Sequence, residues 1–196
     1  MNEIERLLKE LQNIENKIIK EIQKSKSKYL YTILRKKIKF ESATKKYHKT
    51  LAKGIFRYLA SVNPLYILTA PVIYSLIIPA LILDLSVYFY QLFCFPIYKI
   101  PKVKRGDYIL FDHQFLSYLN IFEKFHCRYC SYFNGLISYV QEVAARTEQH
   151  FCPIKHARNM VTVHSRYKKF IDYGAANEFK SNLLKVSSDF TDIKNK

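Results

Sequence analysis

The chain has 196 residues, with 32 Lys and Arg against 16 Asp and Glu, a net charge of +16, 16 Tyr, 14 Phe, four Gly and no Trp. This length fits one domain, or one domain with an extension, and the charge favours polyanions: nucleic acid or the anionic face of a bilayer. Scarce glycine and long apolar-periodic stretches exclude a turn-rich β fold and predict an all-α chain, and four cysteines, three of them clustered between Cys127 and Cys152, do not make a secreted disulfide scaffold.

In chain order, Ile4, Leu7, Leu11, Ile14 and Ile18 recur at steps of three and four, with Glu3, Glu5 and Glu10 early and lysines late. The pattern predicts an amphipathic helix over 3–22, its charge suited to the helix dipole. Residues 1–24 lack an apolar h-region and a small-residue cleavage site, so no signal peptide is expected. KSKSK, 24–28, interrupts the pattern. Residues 29–62 read as further helix, strongly basic, with Arg35, Lys36, Lys37, Lys39, Lys45, Lys46, Lys49, Lys53 and Arg57 among Tyr29, Tyr31, Phe40, Tyr47, Phe56 and Tyr58. Such a surface suits nucleic acid or anionic lipid, with snorkelling lysines and headgroup-level tyrosines. The segment that follows favours lipid.

From Tyr58 to Tyr98 only Asp84 is charged. A bilayer core is crossed by roughly 20 apolar residues, so the stretch reads as membrane-embedded. Pro71, Pro79 and Pro96 each remove a backbone donor. Two geometries fit: one tilted span over about 60–83, or a re-entrant hairpin. Residues 1–61 and 99–196 hold 16 Lys and Arg each, the symmetric balance of a hairpin with both flanks in the cytoplasm. Asp84 would then be a membrane-buried carboxylate, costly unless paired or near water. The next segment, 99–112, contains a Lys-Arg-Gly-Asp turn and a short extended piece near Tyr108–Phe111. Helices are expected over about 114–126, 134–150 and 157–171, before a frayed polar tail. The organisation is therefore a basic amphipathic helical arm (1–57), a membrane-embedded apolar segment (58–98), a helical Cys/His domain (99–184) and a tail (185–196).

CRYC, 127–130, and CPIKH, 152–156, raise the possibility of a metal centre. A C-x2-C turn aims two thiolates at one ion, and Pro153 can bend Cys152 and His156 toward a common point. The stretch between Cys130 and Cys152 allows one helix out and a turn back. Cys127, Cys130, Cys152 and His156 thus make a tetrahedral candidate for zinc, with an iron–sulfur cluster as the alternative. Two other readings stay open: unligated cysteines with a helix-capping His156, and a redox dithiol at Cys127 and Cys130. Were a coordination position open, Glu142 or Glu148 could serve as general base, with Arg146 as further polar machinery. The plainer reading is ion-pair wiring: Glu142 and Arg146 sit one helical turn apart.

The strings CRYCSYFNG and AARTEQHFCPIKHA, with LTAPVIYSLIIPALILDL upstream, resemble an uncharacterised family of bacterial membrane-associated proteins over about residues 50–174. The resemblance implies a location at the bacterial inner membrane, with the Cys/His part on the cytoplasmic side, and marks Cys127, Cys130, Asn134, Gly135, Glu142, Arg146, Thr147, Glu148, Gln149, Cys152, Lys155 and His156. It departs at Ser131, where the pattern has glycine, and at His150, where it has an aromatic. The family brings no activity with it.

The expected function is a membrane-anchored, metal-binding structural or interaction scaffold, its partners the bilayer and anionic lipids, with a protein partner or homo-oligomer compatible. The alternative is a membrane-associated metalloenzyme or redox protein using the same site.

Overall fold

The computed structural model describes residues 3–28, 31–34, 37–52 and 54–194. The first helix, α1 (Glu3–Lys28), runs through KSKSK rather than stopping before it. Lysine is a good helix former, and Lys24 pairs with Glu21 at 2.8 Å. The basic stretch after it is not all helix. Tyr31–Leu34 (β1) and Lys37–Phe40 (β2) form an antiparallel hairpin in which Tyr31 opposes Phe40 and Ile33 opposes Ile38. The β-branched and aromatic residues of YTIL and KIKF favour a strand, and that preference prevails over the helical expectation. Helix resumes at α2 (Ser42–Thr50) and α3 (Ile55–Ser61). Tyr29, Arg35, Lys36 and Lys53 of the basic run lie outside the described residues.

The apolar run is helical throughout as α4 (Pro64–Ser75) and α5 (Ile77–Ile97). Asn63 caps α4 by accepting from the Leu65 amide at 3.0 Å, with Pro64 at the first position, where its missing N–H costs nothing. The division at Leu76 follows from Pro79, which cannot donate to the Ser75 carbonyl. There the ladder tightens, Leu76 bonding to Ile73. Pro71 is absorbed without a break. Together the run covers 34 residues, long and apolar enough to cross a membrane.

A Schellman turn ends α5. Lys99 adopts φ +57°, its amide bonds to Pro96 and that of Ile100 to Phe95, and Ile100 is buried. The chain therefore turns back. It returns alongside α5 as an irregular segment to Phe111, with a short 3-10 turn at Arg105–Asp107. A second 3-10 turn, Asp112–Phe115, leads on toward α6 (Ile121–Phe151). A reciprocal capping box starts α6: Asn120 accepts from the Glu123 amide at 2.9 Å while Glu123 accepts from the Asn120 amide at 2.8 Å. Pro153 accounts for its end, since Cys152 before it is disfavoured in the helical region.

Three expectations are corrected here. The helices expected at 114–126 and 134–150 are one helix of 31 residues from Ile121, with no knuckle at Cys127–Cys130. No proline interrupts it, and Asn134 and Ser138 bond back to the carbonyls of Cys130 and Asn134 within the helix. The stretch 157–171 is not helical apart from a 3-10 turn at Tyr167–Lys169; Ile171 instead forms a parallel bridge with Ile154. Its VTV sequence is a weak helix former. The tail is not frayed: α7 (Ala176–Ser188) and α8 (Thr191–Lys194) are helical, and Phe190 is buried in the core.

The structure divides into two units. The first holds the chain to Ser61 with Asp112–His126, and the second holds Val62–Phe111 with Cys127 onward. In the first, His48 lies edge-on between Phe40 and Tyr118, each ring centroid 5.3 Å away. In the second, Phe95, Ile100, Val103, Leu136, Tyr139 and Val143 form the core between α5, the return segment and α6. The contact is close at Gly135. A Cβ there would meet the Tyr108 carbonyl oxygen at 2.7 Å and Ile109 Cα at 2.9 Å. Gly135→Ala gains about 1 kcal/mol of helix propensity but incurs overpacking of about 1–3 kcal/mol. A net fall in thermal stability is expected for the purified protein, against no comparable fall for Ser138→Ala. An unchanged or raised midpoint would mean that the 108–109 backbone yields.

Candidate functional site

The four expected metal ligands do not converge. Cys127 and Cys130 lie on α6, and Cys152 lies one residue past its end. At 1.5 Å per residue, the rise along α6 from Cys130 to Cys152 amounts to about 33 Å, whereas the donors of one tetrahedral zinc must lie within about 4 Å of one another. The spacing allowed a helix out and a turn back, but the first pair is itself inside the helix, so no turn returns. Among the described residues no group of three or more His, Cys, Asp and Glu is placed to hold a metal. The described residues therefore do not gather Cys127, Cys130, Cys152 and His156 at one point, and the shared zinc or iron–sulfur site stays an expectation of the sequence. The His156 amide donates to the Tyr167 hydroxyl at 3.0 Å, and Lys155 pairs with Asp172 at 2.6 Å.

The candidate polar residues Glu142, Arg146 and Glu148 each make ties to other parts of the chain or to one another. Arg146, 7% exposed, donates to Glu142 at 2.8 Å and to the carbonyls of Pro101 and Lys102 at 2.8 and 3.2 Å. It therefore satisfies acceptors that the irregular return segment leaves unpaired. Glu142 also accepts from Ser165. Glu148 lies 3.0 Å from His164 Nε2. Thr147 shares a hydrogen bond of 3.0 Å with Tyr90. Gln149, 0% exposed, donates to the carbonyls of Val186 and Asp189 and accepts from Arg166 at 2.6 Å. Arg166 also forks onto Asp192 at 2.6 and 3.0 Å, and Lys169 bridges Asp189 and Asp192 at 2.8 and 2.7 Å. The Arg166 fork holds the Asp192 carboxyl far below the usual range, and the Lys169 ammonium lowers Asp189 to about 2. Arg146, Thr147, Glu148 and Gln149 thus tie α6 to the chain on both sides of it. Arg166 and its carboxylates lacked any signal in the sequence, because the partners lie 17 and 26 residues away.

A second polar cluster lies on α5. Asp84 accepts from Arg105 Nε at 3.0 Å and Nη2 at 2.6 Å, and from the Tyr132 hydroxyl at 3.0 Å. The expected need of Asp84 for a partner is met by the arginine of the Lys-Arg-Gly-Asp turn. Asp84 holds the Arg105 guanidinium above its ordinary pKa, and burial raises the Tyr132 phenol. Further along the same face, Gln91 accepts from the Val103 amide at 2.7 Å and donates to Tyr139.

These contacts give α5 an inverted character. Ala80, Asp84, Val87, Gln91 and Phe95, at helical spacing, face α6 and the return segment. Ile78, Ile82, Leu85, Phe89, Phe93 and Ile97 face outward, 46–74% exposed. The outward Ser86 returns its hydroxyl to the Ile82 carbonyl. Asp84 and Gln91 are inside while six large aliphatic and aromatic side chains are outside, the reverse of a water-soluble core helix. An apolar face of this extent marks an interaction surface. In comparisons with known proteins, no family model, no curated protein and no solved structure matches the chain.

Proposed function

We propose that the chain is a membrane-anchored helical scaffold, held on anionic lipid by α4 and α5 and presenting its polar, basic parts to the aqueous side. The observation that carries this reading is the inverted α5: Asp84 and Gln91 turned inward, and Ile78, Ile82, Leu85, Phe89, Phe93 and Ile97 turned outward. In water those side chains forgo about 1.5–3 kcal/mol each relative to burial. The exposed Lys99 just past the end of α5, and Lys102 and Lys104 on the return segment, suit phosphate headgroups. The resemblance of LTAPVIYSLIIPALILDL and its downstream strings to a membrane-associated bacterial family points the same way. The chain's own residues carry no metal function in this proposal, since the ligands it would need lie apart.

The test is vesicle flotation. Wild-type protein is expected to rise with vesicles containing anionic phospholipid. A triple variant, Ile82→Lys, Leu85→Lys and Phe93→Lys, removes three apolar side chains worth about 1.5–3 kcal/mol each on burial, so its partition into vesicles should drop by more than about 100-fold. The inward side is untouched and helix content by circular dichroism should persist. Wild-type protein that stays monomeric and soluble without lipid or detergent, and does not float, would overturn the proposal.

A further inference from the structure

We propose that α4 and α5 lie along the membrane surface within one leaflet, at the boundary of headgroups and acyl chains, and do not cross the bilayer. This rests on the membrane reading above and concerns how the same surface is used.

The return segment carries the argument. After the turn at Lys99 the chain runs back along α5, its Val103 amide on Gln91 and its Arg105 on Asp84. Those contacts flank the midpoint of the 21-residue α5. Were α5 to stand across the bilayer, its midpoint would lie near the midplane and so would residues 102–107. That segment is irregular apart from one 3-10 turn, and Lys102, Lys104, Arg105 and Asp107 in it are exposed. Irregular backbone facing lipid does not occur within the hydrocarbon, and four charged side chains at that depth are prohibitive.

Helix α6 closes the other flank. Tyr129 donates to the Ile73 carbonyl at 2.6 Å, Tyr132 reaches Asp84, Thr147 meets Tyr90, and Phe151 packs on Tyr98 with ring centroids 5.0 Å apart. The partners advance together, so α6 accompanies the run from α4 to the end of α5. Arg128 lies at one end of this contact and Glu142, Arg146 and Glu148 toward the other. A crossing run would carry this charged helix with it. Lying flat, the same assembly puts its outward apolar face into lipid and keeps α6 and the return segment at the water side. It also removes the length problem. The 34-residue run extends about 51 Å if straight, against about 30 Å of hydrocarbon, while α4, with 12 residues, is too short to cross alone. Equal numbers of Lys and Arg before and after the run agree with both ends on one side.

The experiment uses the full chain bound to vesicles of phosphatidylcholine and phosphatidylglycerol. In a background with Cys94, Cys127, Cys130 and Cys152 replaced by serine, single fluorophores are placed by Leu68→Cys, Ile82→Cys and Phe93→Cys, and their depths are read by nitroxide-lipid quenching. All three are expected at one shallow depth, and Asn63→Cys and Lys102→Cys should both react with an impermeant maleimide added outside. A label at Ile82 near the bilayer centre, or one of the two flanking cysteines protected, would overturn the inference while leaving membrane attachment intact. Failure to float would overturn both. Polarised infrared dichroism of the amide I band on the unmodified protein provides a reading independent of the variants: helix axes mainly in the membrane plane support the inference, and axes along the normal refute it.

Discussion

Arg166→Ala is expected to detach α7 and α8 from the end of α6. The guanidinium is 4% exposed and joins Gln149 on α6 to Asp192 on α8 and to the Asp189 carbonyl. Removing it leaves the buried Gln149 oxygen without its donor and strips Asp192 of its fork. Breaking a buried ion pair costs about 3–5 kcal/mol, but Asp192 is 44% exposed and can rehydrate, so about 2–4 kcal/mol is the expected loss. Hydrogen exchange should show protection lost over 176–194 while the middle of α6 retains it. Arg166→Lys should recover only part, because an ammonium cannot reproduce the planar fork. Unaltered protection of α7 and α8 would remove Arg166 from this role. The same network fixes an acid limb. The carboxyls of Asp189 and Asp192 are depressed in the folded state by Lys169 and Arg166. Their contribution is therefore complete above the unfolded carboxylate range, about pH 4. It is lost as pH falls from there through about 2, the folded value of Asp189, and lower for Asp192. Arg166→Ala should flatten this limb, since the depression of Asp192 goes with the guanidinium.

Arg105→Met is expected to cost about 2–3 kcal/mol, more than its half-exposed position suggests. The cost arises at its partner: Asp84 has a side chain only 13% exposed, against 43% for Arg105, and would keep Tyr132 as its one remaining donor among the described residues. Replacing both partners by apolar groups avoids the unpaired carboxylate. The double variant Asp84→Leu/Arg105→Met should therefore be more stable than Arg105→Met alone. Unfolding midpoints of the wild-type protein, Asp84→Leu, Arg105→Met and the double variant in one detergent close a double-mutant cycle. Strict additivity would mean that the fork carries no coupling. The measurement also bears on topology, since Arg105 holds the return segment over the middle of α5.

The membrane candidate and the helical character were legible because they depend on composition and local pattern. Between Tyr58 and Tyr98 the lone charge is Asp84, and no arrangement of the rest of the chain alters that. The heptad-like spacing from Ile4 to Ile18 likewise predicts α1 without tertiary information. The hairpin at 31–40 was obscured because its lysines fit a helix face as readily as the exposed side of a strand. The isolated helix over 157–171 failed for a different reason: its apolar residues have helical spacing, but Ile154, Ile171 and the Arg166 network offer that backbone and its side chains partners elsewhere in the chain.

The cysteine and histidine spacings show most clearly where local reading ends. Two ligand pairs with a helix-length stretch between them are consistent with a bend after Cys130 or with none, and only the continuity of α6 separates them by about 33 Å. Asp84 gave the converse case: its need for a partner follows from desolvation, but which cation answers depends on the turn at Lys99 bringing Arg105 back to it. What the sequence alone determined is therefore the hydrophobicity of the run and the charges on either side. Which face of that run meets protein, and which is left exposed, was decided by tertiary packing, because only the return of the chain places polar groups opposite Asp84 and Gln91.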